Sequence, residues 1–213
     1  MLKVQYARVD RLTDDPSRYV ISDGRLQKLS RMKPGLPRLQ AIGAELILQN
    51  MIHAEQPQLS LPVPYTPDVH GKPCWEIQDL YFNLSHSGIY AACALSRLPV
   101  GIDIQQLTEY KEAISKRFFT PEEQAQLVQA EEKDRAFTRL WTLKESYLKA
   151  KGLGLSGGLD SFSVQFEEPI RCSDPAASFW HTEIPGYHLA VCVLEPSPLC
   201  PDSFEEIELM PLR

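Results

Sequence analysis

The chain has 213 residues, enough for one large domain or two small ones, and a fold of this size buries roughly 70% of its unfolded surface. With 43% hydrophobic and 23% charged residues it has the make-up of a globular protein, and no run approaches the ~18 apolar residues of a membrane span. A net charge of −6 excludes a general nucleic-acid binder, which needs a basic footprint to displace counterions from phosphates, but leaves room for a local basic pocket.

The start, Met1-Leu2-Lys3-Val4-Gln5, lacks the apolar core of a secretory signal, so a cytoplasmic protein away from the membrane is expected. Residues 1–10 alternate weakly, with Leu2, Val4 and Tyr6 apolar, as a strand would. In the basic segment 22–33, Arg25, Lys28 and Arg31 fall on one side of a helix, either as a solvated face or as an anion site. After Pro34 and Pro37 the segment 38–53 reads as an amphipathic helix, its stripe formed by Leu39, Ile42, Leu46, Ile47 and Met51. Gly43 within it costs about 1 kcal/mol relative to alanine, which points to close packing there. Residues 56–69 carry four prolines and read as a loop.

Further on come Gly71-Lys72-Pro73-Cys74, then Phe82-Asn83-Leu84-Ser85-His86-Ser87, then a strand over 89–95. In the next strand, Val100-Gly101-Ile102-Asp103-Ile104-Gln105, period two puts Gly101, Asp103 and Gln105 on one face. Two oxygen ligands thus line up beside a glycine that lets a ligand approach. Helices are predicted over 108–118 and 120–130, the second opened by Thr120-Pro121-Glu122-Glu123. A central helix over 133–151 follows, with Phe137, Leu140, Trp141, Lys144 and Leu148 at helical spacing and Gly152 as a left-handed cap.

Lys144 lies inside that stripe, where a charge is costly unless paired. Glu145 and Lys149, four residues apart, would meet on one face, as a surface ion pair or as part of a site. Strands are predicted over 161–166, 179–184 and 187–194, and the acidic, proline-rich tail beyond Pro196 should be peripheral. The five cysteines, Cys74, Cys93, Cys172, Cys192 and Cys200, lack zinc-type spacing and read as reduced thiols, several of them buried. Gly88-Ile-Tyr-Ala-Ala-Cys-Ala-Leu weakly echoes Gly186-Tyr-His-Leu-Ala-Val-Cys-Val-Leu, as a duplication into two α+β halves would produce.

Asp103, Gln105 and Glu145 offer the hard oxygen ligands that magnesium prefers, and Lys72, His86, Lys144 and Lys149 could bind phosphates beside it. That combination suggests pyrophosphate chemistry. A serine hydrolase is disfavoured: Ser85 and His86 are adjacent on a strand and point to opposite faces, and there is no nucleophile elbow. The glycines from Gly152 to Gly158 do not form a phosphate-cradling P-loop.

Gly101-Ile102-Asp103-Ile104-Gln105 and Trp141-Thr142-Leu143-Lys144-Glu145-Ser146-Tyr147-Leu148-Lys149 together resemble the paired signatures of phosphopantetheinyl transferases, of the surfactin-synthetase-activating type. The Gly71, Phe82, Arg117-Phe118-Phe119 and Leu159-Asp160-Ser161-Phe162-Ser163-Val164 blocks match in the same order, so the resemblance covers about residues 20–194. It implies an α+β fold of two pseudo-symmetric halves, each a small mainly antiparallel sheet packed with a long helix, divided as 1–100 and 101–213. It implies transfer of the phosphopantetheine arm of coenzyme A to a serine of an apo acyl or peptidyl carrier protein by a monomer that binds no nucleic acid.

By the same resemblance, Asp103, Gln105 and Glu145 hold Mg2+ or Mn2+, and Glu145 is also the base for the carrier serine. Lys149 faces the pyrophosphate, while Lys144 and Trp141 shape the helix. Ser85 and His86 contact the coenzyme's phosphates, Lys72 and Pro73 line the nucleotide end, and Arg25, Lys28 and Arg38 are looser phosphate candidates. Gln105 stands where the family usually has a glutamate, so the metal should be held less tightly. If that change has cost the chemistry, the alternative is a coenzyme A-binding scaffold. Lys111, Lys116 and Arg117 beside Phe118 and Phe119 are the candidate carrier patch; the other reading is a solvated helix with buried phenylalanines.

Overall fold

The computed structural model describes residues 1–68, 71–153, 158–195, 201 and 203–210. The chain opens with β1 (Leu2–Arg8), which buries Leu2, Val4 and Ala7, then passes through the short α1 (Asp23–Leu29) into α2 (Leu36–Glu55). The small ribbon of β2 (Thr66–Pro67) and β3 (Pro73–Cys74) leads to a hairpin of β4 (Tyr81–Ser87) and β5 (Tyr90–Ser96). Then come β6 (Val100–Gln106), α3 (Glu112–Phe118), α4 (Pro121–Gln129) and α5 (Lys133–Lys151). The ribbon of β7 (Val164–Gln165) and β8 (Arg171–Cys172) precedes a hairpin of β9 (Ala177–Ile184) and β10 (Tyr187–Leu194), and β11 (Phe204–Glu206) is last.

Two sheets carry the structure, in the orders β11-β1-β5-β4 and β6-β10-β9. Without β11 they have one topology: a first strand and a later hairpin, with the hairpin's second strand in the centre and every pairing antiparallel. The long helix between the first strand and the hairpin, α2 in one half and α5 in the other, packs on that central strand. The faint echo between residues 88 and 186 is therefore structural, since both segments enter a central strand through a glycine turn. The central strands are apolar on both faces, as burial on both sides demands; Ala91, Cys93, Leu95, Leu189, Val191 and Val193 are all essentially inaccessible.

Close packing of each helix on its half uses a glycine. A side chain at Gly43 would strike Val9 Cγ1 at 2.4 Å, and one at Gly101 would strike the α5 backbone, Ser146 O at 2.0 Å and Ala150 N at 2.3 Å. Gly101 therefore admits a helix, not a ligand as its place beside Asp103 suggested, and it brings the end of α5 onto β6. That end is set by Gly152, whose φ of 72° is the left-handed cap conformation.

Between the sheets β4 and β6 lie side by side, joined by side chains in place of a backbone ladder. Asn83 Oδ1 accepts from Ile102 N–H at 2.9 Å, Ser85 Oγ from Ile104 N–H at 3.2 Å and Ser87 Oγ from Gln106 N–H at 3.0 Å. Lys72 Nζ extends the series by donating to Val100 O at 3.1 Å. Every second residue of β4 thus satisfies every second amide of β6, of which those of Ile102 and Ile104 would otherwise be buried without a partner.

Three expectations need correction. The helix predicted from 108 begins only at Glu112, because Thr108 N–H and Tyr110 N–H donate to side chains of α5, Thr138 Oγ1 at 3.2 Å and Asp134 Oδ1 at 2.8 Å. The strand predicted over 161–166 shrinks to Val164–Gln165. The tail is not wholly peripheral: β11 pairs in parallel with Val4, Gln5 and Tyr6 of β1 and so joins the first half's sheet. Among the described cysteines, Cys93 and Cys192 are buried, Cys74 is exposed, and all four are free thiols. Cys200 and residues 154–157 lie outside the described residues. Among the described residues no helix is long and apolar enough to cross a membrane.

Candidate active site

Asp103 sits on the face of β6 that α5 covers, and only 1% of it is exposed. Its Oδ1 accepts from Ser85 Oγ at 2.8 Å and from Lys149 Nζ at 2.5 Å, and its Oδ2 from Gln105 Nε2 at 2.9 Å. Three elements thus converge on one carboxylate: β6 supplies it, β4 a hydroxyl, and the last turn of α5 an ammonium. The expected surface pair of Glu145 with Lys149 is not formed, because Lys149 reaches across to Asp103.

Glu145 lies one turn earlier on α5, half-buried, with no hydrogen bond or ion pair among the described residues. Burial first, and then the negative charge of Asp103, push its carboxyl up to about 7, with Lys149 opposing. The shift implies that the two carboxylates are near enough to repel. Such a pair fits a divalent cation, which would offset both charges. Among the described residues no third His, Cys, Asp or Glu joins them, and the other side chains bearing oxygen that touch Asp103 are the Ser85 hydroxyl and the Gln105 amide.

On the neighbouring face of β4, His86 is exposed and faces a cluster of cations. Desolvation by the surrounding walls, followed by Lys149, Lys28 and Arg25, holds its imidazole below the ordinary value. Lys28 is likewise lowered, by partial burial and by Arg25. Arg25, Lys28, His86 and Lys149 therefore form one electropositive group drawn from α1, β4 and α5. Arg25 is fixed from beneath by a network that sequence reasoning missed. Its Nε donates to Tyr65 Oη at 3.0 Å and lies 3.4 Å from Glu45 Oε2, and Glu45 is fully buried, also accepting from Ser22 N–H at 3.1 Å. A glutamate amid the buried face of α2 was the available signal.

Other expected residues stand apart from this group. Arg38 is ion-paired with Asp14 at 2.8 Å. Lys72 Nζ is tied to backbone carbonyls, Lys149 O at 2.6 Å and Ala150 O at 3.4 Å besides Val100 O, so it caps the end of α5. Pro73 lines a cavity of about 370 Å³ with Trp75 and Phe82.

Lys144, considered above as a phosphate ligand, is wholly buried on the far side of α5. It donates to Glu123 Oε1 at 2.5 Å and Phe162 O at 2.7 Å, with the Phe162 ring 4.2 Å from its ammonium. Its partner was hidden in the Thr120 capping box, where Glu123 also accepts from Val164 N–H at 2.7 Å. Trp141 packs edge-on against Phe118 at 6.0 Å. In the carrier patch Phe119 is only 3% exposed and belongs to the core, whereas Lys111, Lys116 and Arg117 are exposed, Arg117 lying over the Phe118 ring at 5.0 Å.

Comparison with known proteins bears on this arrangement. Residues 99–192, which include Asp103, Glu145 and Lys149, match the 4'-phosphopantetheinyl transferase superfamily. The 4'-phosphopantetheinyl transferase Sfp of Bacillus subtilis is 34% identical over 163 residues, covering 71% of this chain and 72% of that one. The 4'-phosphopantetheinyl transferase ffp of Bacillus subtilis is 34% identical over 161 residues, 70% of this chain and 72% of its own. The 4'-phosphopantetheinyl transferase HetI of a Nostoc species is 45% identical over 82 residues, 36% of this chain and 35% of its own. Identity of this extent over most of both chains, with acid and lysine meeting where the two halves join, means that the chain belongs to the 4'-phosphopantetheinyl transferase family.

Proposed function

We propose that the protein transfers the 4'-phosphopantetheine arm of coenzyme A to a serine of an acyl or peptidyl carrier protein, releasing adenosine 3',5'-bisphosphate. The observation that carries this reading is the convergence of Asp103, Glu145 and Lys149 beside the cation group of Arg25, Lys28 and His86. A coenzyme with a pyrophosphate and a 3'-phosphate needs both. Arg25, Lys28 and His86 come from the first half of the chain and Asp103, Glu145 and Lys149 from the second, so no second copy is required.

Phosphoryl transfer asks mainly for positioning and charge stabilisation. The carrier serine oxygen attacks the phosphorus that bears the pantetheine, and the bond from that phosphorus to the bridging oxygen breaks. Glu145, on α5 beside Asp103, accepts the serine proton. Lys149 meets the charge that builds on the transferring phosphoryl group and the departing nucleotide. Arg25, Lys28 and His86 hold the nucleotide's phosphate, while Pro73 lines its base end. Asp103 and Glu145, with the Gln105 oxygen as third donor, would hold magnesium, with manganese as its substitute; when bound, such an ion neutralises pyrophosphate oxygens. Lys111, Lys116 and Arg117 form the docking patch for the acidic carrier.

Incubation with coenzyme A, magnesium and an apo-carrier, followed by mass spectrometry of the carrier, tests the reading. A gain of the phosphopantetheine mass is expected, lost in Asp103→Ala. Coenzyme binding without any mass gain would leave only a scaffold.

A further inference from the structure

A carboxylate buried in a helix face is costly unless its oxygens are all satisfied, so the partners of Glu45 show what it fixes. None of its surface is exposed. Its Oε1 accepts from Ser22 N–H at 3.1 Å and from Gln49 Nε2 at 3.1 Å, and its Oε2 accepts from the Tyr65 hydroxyl and lies 3.4 Å from Arg25 Nε. The charged partner is thus Arg25, whose side chain is only 10% exposed.

Each of these partners locates a part of the surface that carries the cations. Ser22 caps α1, a helix of seven residues that is too short to be stable alone and depends on its packing against α2. Gln49, one turn after Glu45, donates to Val63 O at 3.0 Å and accepts from Val63 N–H at 2.8 Å, which sets the segment that bears Tyr65. The Tyr65 hydroxyl then stands between acid and base, donating to Glu45 and accepting from Arg25 Nε at 3.0 Å. Burial pushes that phenol well above its ordinary value, so it stays a neutral donor.

An arginine presents five N–H donors in one rigid plane, and here only the Nε donor is claimed from beneath. Fixing Nε fixes the plane, while the two Nη groups take no partner among the described residues. The charge of Arg25 holds down both Lys28 and His86, which places it beside them. A guanidinium edge kept in one orientation matches two oxygens of a phosphate, the bidentate contact that a freely rotating lysine cannot make.

We propose that Glu45 and Tyr65 are positioning residues for Arg25: from beneath α1 they hold its guanidinium in one plane, so that the free edge reads the nucleotide's terminal phosphomonoester and separates coenzyme A from its dephosphorylated form. This rests on the transferase reading above, in which Arg25 meets the nucleotide's phosphate. The Glu45 carboxylate is out of the coenzyme's reach, so the ligand does not compete for its hydrogen bonds.

The test is isothermal titration calorimetry of coenzyme A and of 3'-dephospho-coenzyme A, which differ only in that phosphate, with wild type, Tyr65→Phe, Glu45→Gln and Arg25→Met. Wild type should bind coenzyme A roughly tenfold more tightly, or better. In Tyr65→Phe, which keeps the ring and loses one hydroxyl, coenzyme A affinity should fall roughly three- to tenfold while dephospho-coenzyme A stays within about twofold. Glu45→Gln should show the same asymmetry, and Tyr65→Phe decides alone if the glutamine variant does not fold. Adding Tyr65→Phe to Arg25→Met should remove no further discrimination, because the side chain it orients is already gone.

Equal losses for both ligands in Tyr65→Phe would reduce the network to a support of the fold and overturn the assignment. So would an unchanged ratio in every single variant that folds, or a wild type that does not distinguish the two ligands. A wild type that separates them yet transfers nothing to a carrier would instead end the transferase reading and leave this assignment standing on binding.

Discussion

Glu145 is a residue whose chemistry is set by its surroundings. Its carboxyl is raised to about 7 against an ordinary 4.5, so the folded state binds a proton that the unfolded state has already released. Its contribution to stability is therefore fully present below about 4.5 and is lost as pH rises through about 7. Glu145→Gln should abolish transfer and, in metal-free buffer at pH 8, raise unfolding free energy by on the order of 1–2 kcal/mol, with a flatter dependence between pH 5 and 7. Urea unfolding across that range measures both. Lys149→Ala should lower kcat more than it weakens coenzyme binding, since its charge is needed most when the phosphoryl group is in flight. The pairing of Asp103 with Glu145 was legible from strand parity and family motif together; the link from Lys149 to Asp103 was not, because helix spacing pointed Lys149 to Glu145.

At the scale of the element, α5 was the most legible part of the chain, and its bounds match the reading from periodicity and Gly152. What periodicity could not supply was a reason for Lys144 in the apolar stripe. That reason is long-range: Glu123 caps α4 with Thr120, takes the Val164 amide and receives the lysine, so one buried carboxylate binds α4, α5 and the segment at β7. Lys144→Ala would leave that carboxylate uncompensated, and unfolding free energy should fall by about 3–5 kcal/mol in urea titration. The start of α3 was misplaced for a similar reason: side chains of α5 claim the amides of Thr108 and Tyr110, and competition of that kind is invisible in local propensity. The strand motif Asn83-x-Ser85-x-Ser87 was visible as small polar residues at period two, yet nothing local showed that their partners would be the amides of β6.

At the scale of the molecule, two copies of one topology stand side by side, and the acid and the lysine lie where they meet. The duplication was only faintly legible because sequence similarity survives in the central strands, whereas the surrounding loops differ. Net charge gave no hint of the cation cluster, which is local, nor of the exposed Lys111, Lys116 and Arg117 proposed as a docking patch. Lys116→Glu together with Arg117→Glu should weaken carrier binding by roughly tenfold in surface plasmon resonance, while stability changes by less than about 0.5 kcal/mol, as is usual for exposed sites. The short β11 has a consequence of its own. By lying against Val4, Gln5 and Tyr6 it covers a row of backbone groups that would otherwise be open to any passing strand. A chain cut before Phe204 should still hold its acid and its lysine in place but recruit a second molecule through the bared margin of β1, and light scattering of the shortened protein should report growing oligomers.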